Sequence, residues 1–296
     1  MSRRYAFLLV VLGAIWGSSY LFIRVGVRDL SPAMLIEIRL LLAAPVLVAF
    51  AVRRYGWAPL RRAWRQGLVL GVINAAVPFT LIAWGEKYVD SGTAAVANSS
   101  VPIFVVPLAI LFVPSERSTG SRLVGVLLGL VGVSILAGVH PQGGWRGVAG
   151  IGAIVLASVS YAAANLYAGR RMSVGGPVLA ATSMSFAFLI LLPLAAATPP
   201  DGLPGWKPLG SAAALGLLGT ALAQILSYRM IRLYGSARSV LVAYLLPAFA
   251  LLYGFVFLHE SLTVEKLAGL VLITGGVALG SGALRLFRRG GPLPQT

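Results

Sequence analysis

The stretch ANSSVPIFVVPLAILFVPSE, residues 97–116, combines an apolar run with features that are costly inside a membrane. Pro102 and Pro107 interrupt the run, and the polar triplet at 98–100 precedes the first proline. Because proline has no backbone N–H, Pro102 cannot donate to the carbonyl of Asn98, four residues earlier. Such a break is tolerated at membrane depth where the freed groups face protein or a wet cavity. We therefore predict an interrupted helix whose polar residues face a cavity.

The composition of the whole chain is that of a membrane protein. Of its 296 residues, 58% are hydrophobic and only 11% are charged, and the mean hydropathy is +0.89. These values lie outside the usual range of soluble domains. With no cysteine and two histidines, the chain offers no disulfides and little scope for a metal site, so we expect no metal and no cofactor. No lysine follows a glycine, which excludes a Walker A loop and therefore an ATPase.

Apolar segments of about 20 residues match the thickness of a bilayer. The sequence predicts ten of them, joined by short loops, and hence an all-α membrane protein. The predicted spans are 5–23, 33–52, 66–85, 92–113, 120–138, 147–168, 177–197, 209–228, 239–258 and 266–284.

The positions of the basic residues predict the orientation. If the N-terminus is cytoplasmic, 17 of the 24 Lys and Arg residues fall on the inner side and 6 on the outer side, and Arg39 lies within a span. Basic residues mark cytoplasmic loops, so we predict a multi-pass protein of a bacterial-type inner (plasma) membrane with both termini inside. This bias and the attraction to anionic lipid account for the net charge of +16. We therefore expect the lipid bilayer, and no nucleic acid, as a partner.

The chain contains an internal repeat. Pro102 is followed by Glu116, and Pro247 by Glu260, and from each glutamate the pattern E-x8-G-x6-G continues. The prolines of the two copies are 145 residues apart. A fixed offset of this kind is typical of duplicated architectures.

The repeat divides the chain into 1–140, 145–290 and a C-terminal tail at 291–296. Each half holds five predicted spans, and an odd number forces the second half to lie inverted in the membrane. Inverted repeats around a central site are the architecture of many secondary transporters. The sequence thus predicts two inverted five-helix repeats around a central cavity.

The chain resembles the EamA-type domains of the drug/metabolite transporter superfamily. The resemblance rests on GAIWGSSYLFIR at 13–24, on Pro32 with Arg39, and on the paired Pro…Glu…Gly…Gly ends, and it covers nearly the whole chain. It implies a ten-helix transporter with a cavity between inverted halves, similar to the exporters of amino acids or related metabolites.

Polar residues are concentrated in predicted spans 1, 3, 4, 6, 8 and 9, which we expect to form the cavity wall. For each single residue, a hydrogen bond that only holds helices together is an equal alternative. The predicted substrate-binding or cavity residues are Trp16, Ser19, Tyr20, Asn74, Pro78, Asn98, Ser99, Pro102, Tyr161, Asn165, Gln224, Tyr228, Tyr244 and Pro247.

These side chains favour a small, net-neutral substrate, such as an amino acid, including the aromatic and hydrophobic ones. Nucleoside- or purine-type metabolites and multidrug export are the alternatives within transport. Arg39 alone is weak support for a phosphorylated substrate. Glu37 is the only acidic residue within a span, and we expect it near the outer headgroups. Because proton-driven carriers usually hold a carboxylate in the membrane, we predict a facilitator or a weakly proton-coupled carrier.

Other classes of protein stay open. An intramembrane enzyme and a non-transporting scaffold are the alternatives, although no Gly-x-Ser-x-Gly elbow occurs.

Glycine pairs four residues apart at 13/17, 67/71, 125/129 and 276/280 predict close helix packing. We expect a monomer, with a homodimer through spans 5 and 10 as a further possibility.

Overall fold

The computed structural model describes residues 3–112, 120–137, 144–171, 174–200, 202–235, 239 and 241–280. Their regular structure is helical throughout. The main helices are α1 (Arg3–Gly26), α2 (Pro32–Tyr55), α3 (Trp57–Arg62), α4 (Trp64–Gly85), α5 (Ser91–Asn98), α6 (Val101–Phe112), α7 (Gly120–Ala137), α8 (Trp145–Arg171), α9 (Gly176–Ala197), α10 (Trp206–Tyr234), α11 (Val242–Leu258) and α12 (Val264–Gly280).

Six of these helices, α1, α2, α4, α8, α9 and α10, are long and apolar enough to cross a membrane. Val124–Leu136 within α7 and the whole of α11 are shorter apolar helices. Large apolar side chains point outward along the bundle, as Phe7, Leu189 and Val271 do at 67%, 59% and 67% exposure. An outer surface of this kind suits hydrocarbon. The chain is therefore a multi-pass helical membrane protein.

The predicted span 92–113 is two helices instead of one. Helix α5 ends at Asn98, residues 99 and 100 form a turn, and α6 begins at Val101 with Pro102 in its first turn. A first-turn proline loses no hydrogen bond that a helix could have made, which explains why the interruption lies before the proline.

Pro247, the counterpart of Pro102 in the second copy, does not interrupt its helix. Helix α11 runs without interruption from Val242 to Leu258 and contains Pro247. The proline follows the start of α11 by little more than one turn, so it removes a single bond near the helix end, and the flanking side chains are apolar.

Both α4 and α10 contain a turn of π-helix, at Gly71–Ala76 and Leu217–Leu222 respectively. In a π turn each N–H bonds the carbonyl five residues earlier, and such turns are frequent at functional sites. Pro78 follows the first π turn directly. The π turn of α10 contains no proline, so the π-helical geometry of the two turns does not depend on a proline.

Glycines permit the close helix contacts that the sequence predicted. A Cβ atom at Gly276 of α12 would lie 2.5 Å from the backbone oxygen of Gly125 in α7, and one at Gly17 of α1 would lie 2.6 Å from the Cβ of Phe249 in α11. Gly129 and Gly132 also face the chain's own side chains. These glycines pack helices of one chain together; a homodimer through the same segments stays a prediction.

Candidate functional site

A polar cavity of about 290 Å³ lies between the helices. This volume is at the lower end of the range of about 300–1,000 Å³ that is typical of small-molecule sites. Each of the six segments expected to form the wall contributes at least one residue, and α2 adds another. The lining residues are Trp16, Ser19, Tyr20, Ile23, Arg39, Asn74, Phe79, Ile82, Asn98, Tyr161, Gly219, Thr220, Gln224 and Leu246.

The interrupted helix provides a hydrogen-bonded wall of the cavity. The Asn98 side-chain amide donates to the Tyr20 hydroxyl at 2.8 Å. The Ser158 hydroxyl of α8 lies 3.2 Å from the Asn98 side-chain oxygen and 3.4 Å from its backbone oxygen. The Ile154 carbonyl of α8 lies 3.1 Å from the same hydroxyl, so the one Ser158 proton is shared between its own helix and the two Asn98 oxygen atoms. Asn98 is held in place by α1 and α8 together.

Near the π turn of α4, a hydroxyl of α8 likewise donates to a carbonyl that a proline cannot engage, but this carbonyl lies five residues before the proline. The N–H of Val77 bonds the carbonyl of Val72, so the register of five sets the carbonyl of Ile73, and not that of Asn74, against Pro78. The Ser160 hydroxyl of α8 donates to this Ile73 oxygen at 2.7 Å. In an α-helix, Pro78 would instead face the Asn74 carbonyl, four residues earlier.

Among the described residues that line the cavity, Arg39 is the only basic one. Its Nε donates to the Thr220 hydroxyl at 2.7 Å, and its guanidinium carbon lies 3.6 Å from the centre of the Phe79 ring. A cation over an aromatic face is stabilised, most strongly where water is excluded. Arg39 is only 6% exposed, so its orientation is set by α4 and α10. Its terminal nitrogen atoms are the part of the fork that a cavity ligand can approach.

The π turn of α10 brings Thr220 to Arg39. The Thr220 hydroxyl donates to the carbonyl of Leu215, five residues earlier, at 3.0 Å. Gly216 allows the approach, because a Cβ atom there would lie 2.7 Å from the backbone oxygen of Arg39. At Gly219 a Cβ atom would lie 2.7 Å from the Ser19 hydroxyl. Two glycines thus let α10 approach α1 and α2 at the level of the cavity.

The structure brings half of the predicted site residues to this cavity and leaves the other half outside its lining. The lining includes Trp16, Ser19, Tyr20, Asn74, Asn98, Tyr161 and Gln224. Outside it lie Pro78, Ser99, Pro102, Asn165, Tyr228, Tyr244 and Pro247.

The residues outside the lining have other surroundings. Asn165 shares a helix face with Tyr161 in sequence but is exposed. The Ser99 hydroxyl donates to the carbonyl of Ala95 in its own helix at 2.9 Å. The ring of Tyr228 packs against Gly176. For these residues the structure gives roles in helix packing or at the surface.

Seven lining residues were absent from the predicted set, and for three of them the sequence carried a signal. Arg39 was discounted as a lone cation within a span. Thr220 lies 146 residues after Asn74, close to the repeat offset of 145, so the repeat itself pointed to it. Phe79 lies 145 residues before Gln224 in the same way.

Glu37, which we expect near the outer headgroups, is buried within the protein. Its side chain is 6% exposed, and neither carboxylate oxygen has a hydrogen-bond partner among the residues that the structure describes. Helix α2 packs against α9 and α10, so this face is covered by protein.

A bundle of apolar helices around a small internal cavity defines an integral membrane protein. The model of the EamA-like transporter family matches residues 3–138 and 148–281. The chain belongs to the EamA-like transporter family. As its name states, this is a family of transporters.

Full-length relatives have names of the same kind. The chain is 29% identical over 276 residues to the uncharacterized inner membrane transporter YedA of Escherichia coli (strain K12), with 92% of this chain and 88% of that protein covered. It is 27% identical over 299 residues to the "Probable amino-acid metabolite efflux pump" of Salmonella typhimurium (strain LT2), with 97% and 98% covered. A solved crystal structure matches with a TM-score of 0.66 at 19% identity, covering 98% of this chain and all of that one, and supports the fold.

Proposed function

We propose that the protein is a secondary transporter that exports small zwitterionic metabolites, above all neutral amino acids, by alternating access. In this proposal it has ten membrane helices arranged as two inverted repeats, 1–140 and 145–290, with both termini cytoplasmic. The cavity is the substrate site, and the two halves open it to each side of the membrane in turn.

Corresponding positions of the two halves support the repeat. The π turns of α4 and α10 begin at Gly71 and Leu217, 146 residues apart. Trp16 and Tyr161, which both line the cavity, are 145 apart. The family model also matches the chain twice, once in each half. A site shared by equivalent positions of two halves is what an alternating-access carrier requires.

Arg39 supports a substrate that carries a carboxylate. A guanidinium forms charge-assisted, bidentate hydrogen bonds with a carboxylate. Its Nε is already bound to Thr220, which leaves the terminal nitrogen atoms for the ligand. Arg39 is paired with a neutral hydroxyl, so a negative group on the substrate would compensate the buried charge. This cation in an otherwise neutral cavity is the observation that carries the proposal.

The neutral lining supports the rest of an amino acid. Asn74, Asn98 and Gln224 offer amide groups to a substrate, and Tyr20 and Tyr161 add hydroxyls next to apolar ring surface. This set suits an amino group together with an apolar or aromatic side chain. The name of the Salmonella relative, an amino-acid metabolite efflux pump, agrees with such a substrate.

Counterflow into proteoliposomes tests the proposal. Vesicles with the purified chain are loaded with an unlabelled solute, and uptake of the same labelled solute is followed, with protein-free vesicles as the control. The panel contains leucine, phenylalanine, a nucleoside and a cationic drug. We expect uptake of the amino acids only. Uptake of the nucleoside or the drug without the amino acids would refute the proposed substrate class, and no uptake of any solute would contradict the transport function itself.

A further inference from the structure

Glu86 is a completely buried carboxylic acid at one end of the bundle. It follows Gly85, the last residue of the membrane-crossing helix α4, and its N–H bonds the carbonyl of Ile82 at 2.9 Å. Ile82 lines the cavity, so Glu86 lies one helical turn beyond it. The side chain is 0% exposed, and neither carboxylate oxygen has a hydrogen-bond partner among the described residues.

The neighbouring carboxylates at this end, in contrast, are fully engaged. Glu260, in the loop between α11 and α12, accepts from the backbone N–H groups of Ser91 and Gly92 at 2.8 and 3.1 Å, and from the Ser91 hydroxyl at 3.0 Å. Asp90 forms a 2.7 Å ion pair with Lys266 of α12. These contacts join α5 and the residue before it to the loop and helix that follow α11.

The charged groups near Glu86 act on its carboxylate in opposite directions. Arg24 of α1 donates to the backbone oxygen of Glu86 and not to its carboxylate. Glu260 faces it with a like charge. From α8, the groups against neighbouring Gly85 are the backbone oxygen of Gly150 and the Ile154 side chain, which do not titrate.

A buried carboxylate without partners is costly when ionised. Burial raises the pKa of Glu86 well above its usual range, the negative charge of Glu260 raises it further, and Arg24 opposes both. A protonated Glu86 is therefore compatible with the closed arrangement, and an ionised one is not. Because Glu86 is fully buried, water has to reach the side chain before it can lose the proton, and this requires the packing around it to open.

We infer that Glu86 is a proton-binding site that controls the opening of this end of the bundle, which is predicted to be the outer end. The closed state holds one proton more than the open state, so the loss of the Glu86 proton to water favours opening. By linkage, pH then shifts the conformational equilibrium, and opening changes the proton affinity by the same factor. The inference about Glu86 rests on the proposed function only in one respect, namely that the opening serves transport. The facilitator reading counted carboxylates within predicted spans, and Glu86 lies one residue outside its span, 66–85.

The absence of cysteine allows a direct test, because two introduced cysteines are the only labelling sites. Spin labels at Lys87→Cys and Leu262→Cys, both exposed positions on opposite sides of the contact, report its opening as a distance. Pulsed EPR is measured from pH 5 to pH 9 on the full chain in lipid nanodiscs, once in sodium and once in choline buffer. We expect a short distance at low pH and a growing long-distance population as the pH rises, in both buffers.

Glu86→Gln, which resembles the protonated acid in shape and charge, is expected to abolish the pH-dependent change and to keep the short distance. Glu265→Gln, which removes an exposed carboxylate at the same end, is the matched control and should behave like the wild type. A pH response that persists in Glu86→Gln, a wild type that does not respond, or a response to sodium instead of pH would each overturn the inference. The readout needs no substrate, so it is independent of the counterflow result.

Discussion

Replacement of Thr220 by valine isolates the interaction that holds Arg39 in the cavity. Valine keeps the shape of threonine and removes only the hydroxyl, which accepts from Arg39 Nε at 2.7 Å and donates to the Leu215 carbonyl at 3.0 Å. Thr220 is 1% exposed, so no bulk water replaces the lost group. Arg39 is left with its ring contact and one unsatisfied buried donor.

The expected cost follows from the charge on the donor. A hydrogen bond to a charged group contributes about 1.5–3 kcal/mol, and a neutral one about 0.5–1.5 kcal/mol. We therefore expect Thr220→Val to lower the free energy of unfolding by about 1.5–3 kcal/mol. Thr182→Val is the matched control, because the buried Thr182 hydroxyl donates only to the carbonyls of Val178 and Leu179 in its own helix, and we expect it to cost about 1 kcal/mol or less.

Equilibrium unfolding in detergent with increasing SDS measures both variants against the wild type. Substrate affinity adds a second readout: Thr220→Val should weaken binding of a neutral amino acid, because Arg39 is no longer preorganised, while Thr182→Val should leave it unchanged. Equal destabilisation by the two variants, or unchanged affinity in Thr220→Val, would refute the role given to this bond.

Three further predictions concern packing, the cavity wall and pH. Gly17→Ala should destabilise the chain by about 1–3 kcal/mol, because the new methyl group meets Phe249 at 2.6 Å. Gly152→Ala, where the methyl group has no neighbour within 4 Å, should stabilise it by about 0.5–1 kcal/mol. Unfolding in SDS measures both variants, and changes of the same sign would contradict this account of the packing. Asn98→Ala should slow counterflow at least several-fold and keep the fold by circular dichroism, and an unchanged rate would remove Asn98 from the site. Because its folded-state pKa is raised, Glu86 destabilises the chain as pH rises through that value, so the melting temperature of Glu86→Gln should exceed that of the wild type increasingly from pH 5 to pH 9; a constant difference would contradict this.

The parts of the site that the sequence predicts depend on local chemistry. Pro102 cannot donate a hydrogen bond in any fold, so the interruption near Asn98 could be derived without coordinates. Polar side chains in apolar segments are costly unless they face protein or water, which points to Trp16, Asn74 and Gln224. Both arguments need only the residue and its neighbours in the chain.

The parts that the sequence misses depend on how helices rotate and pack. Tyr161 and Asn165 share a helix face, yet only Tyr161 reaches the cavity, because Asn165 lies one turn further along α8 and outside the cavity. The π turn at Leu217–Leu222 contains no proline, so nothing local indicated it. Glu86 lies just outside the predicted span 66–85, and its burial depends on packing against other helices, such as α1, whose Arg24 donates to its backbone oxygen.

The central claim, that Arg39 binds the carboxylate of a transported amino acid, is tested most directly by a comparison of acid and ester. The dissociation constants of phenylalanine and its methyl ester are measured by calorimetry for the wild type and for Arg39→Gln. One charge-assisted interaction of about 1.5–3 kcal/mol corresponds to about 10- to 100-fold in affinity. We predict that the wild type prefers the acid by this factor and that Arg39→Gln binds both forms equally. An acid preference that survives in Arg39→Gln would contradict the claim.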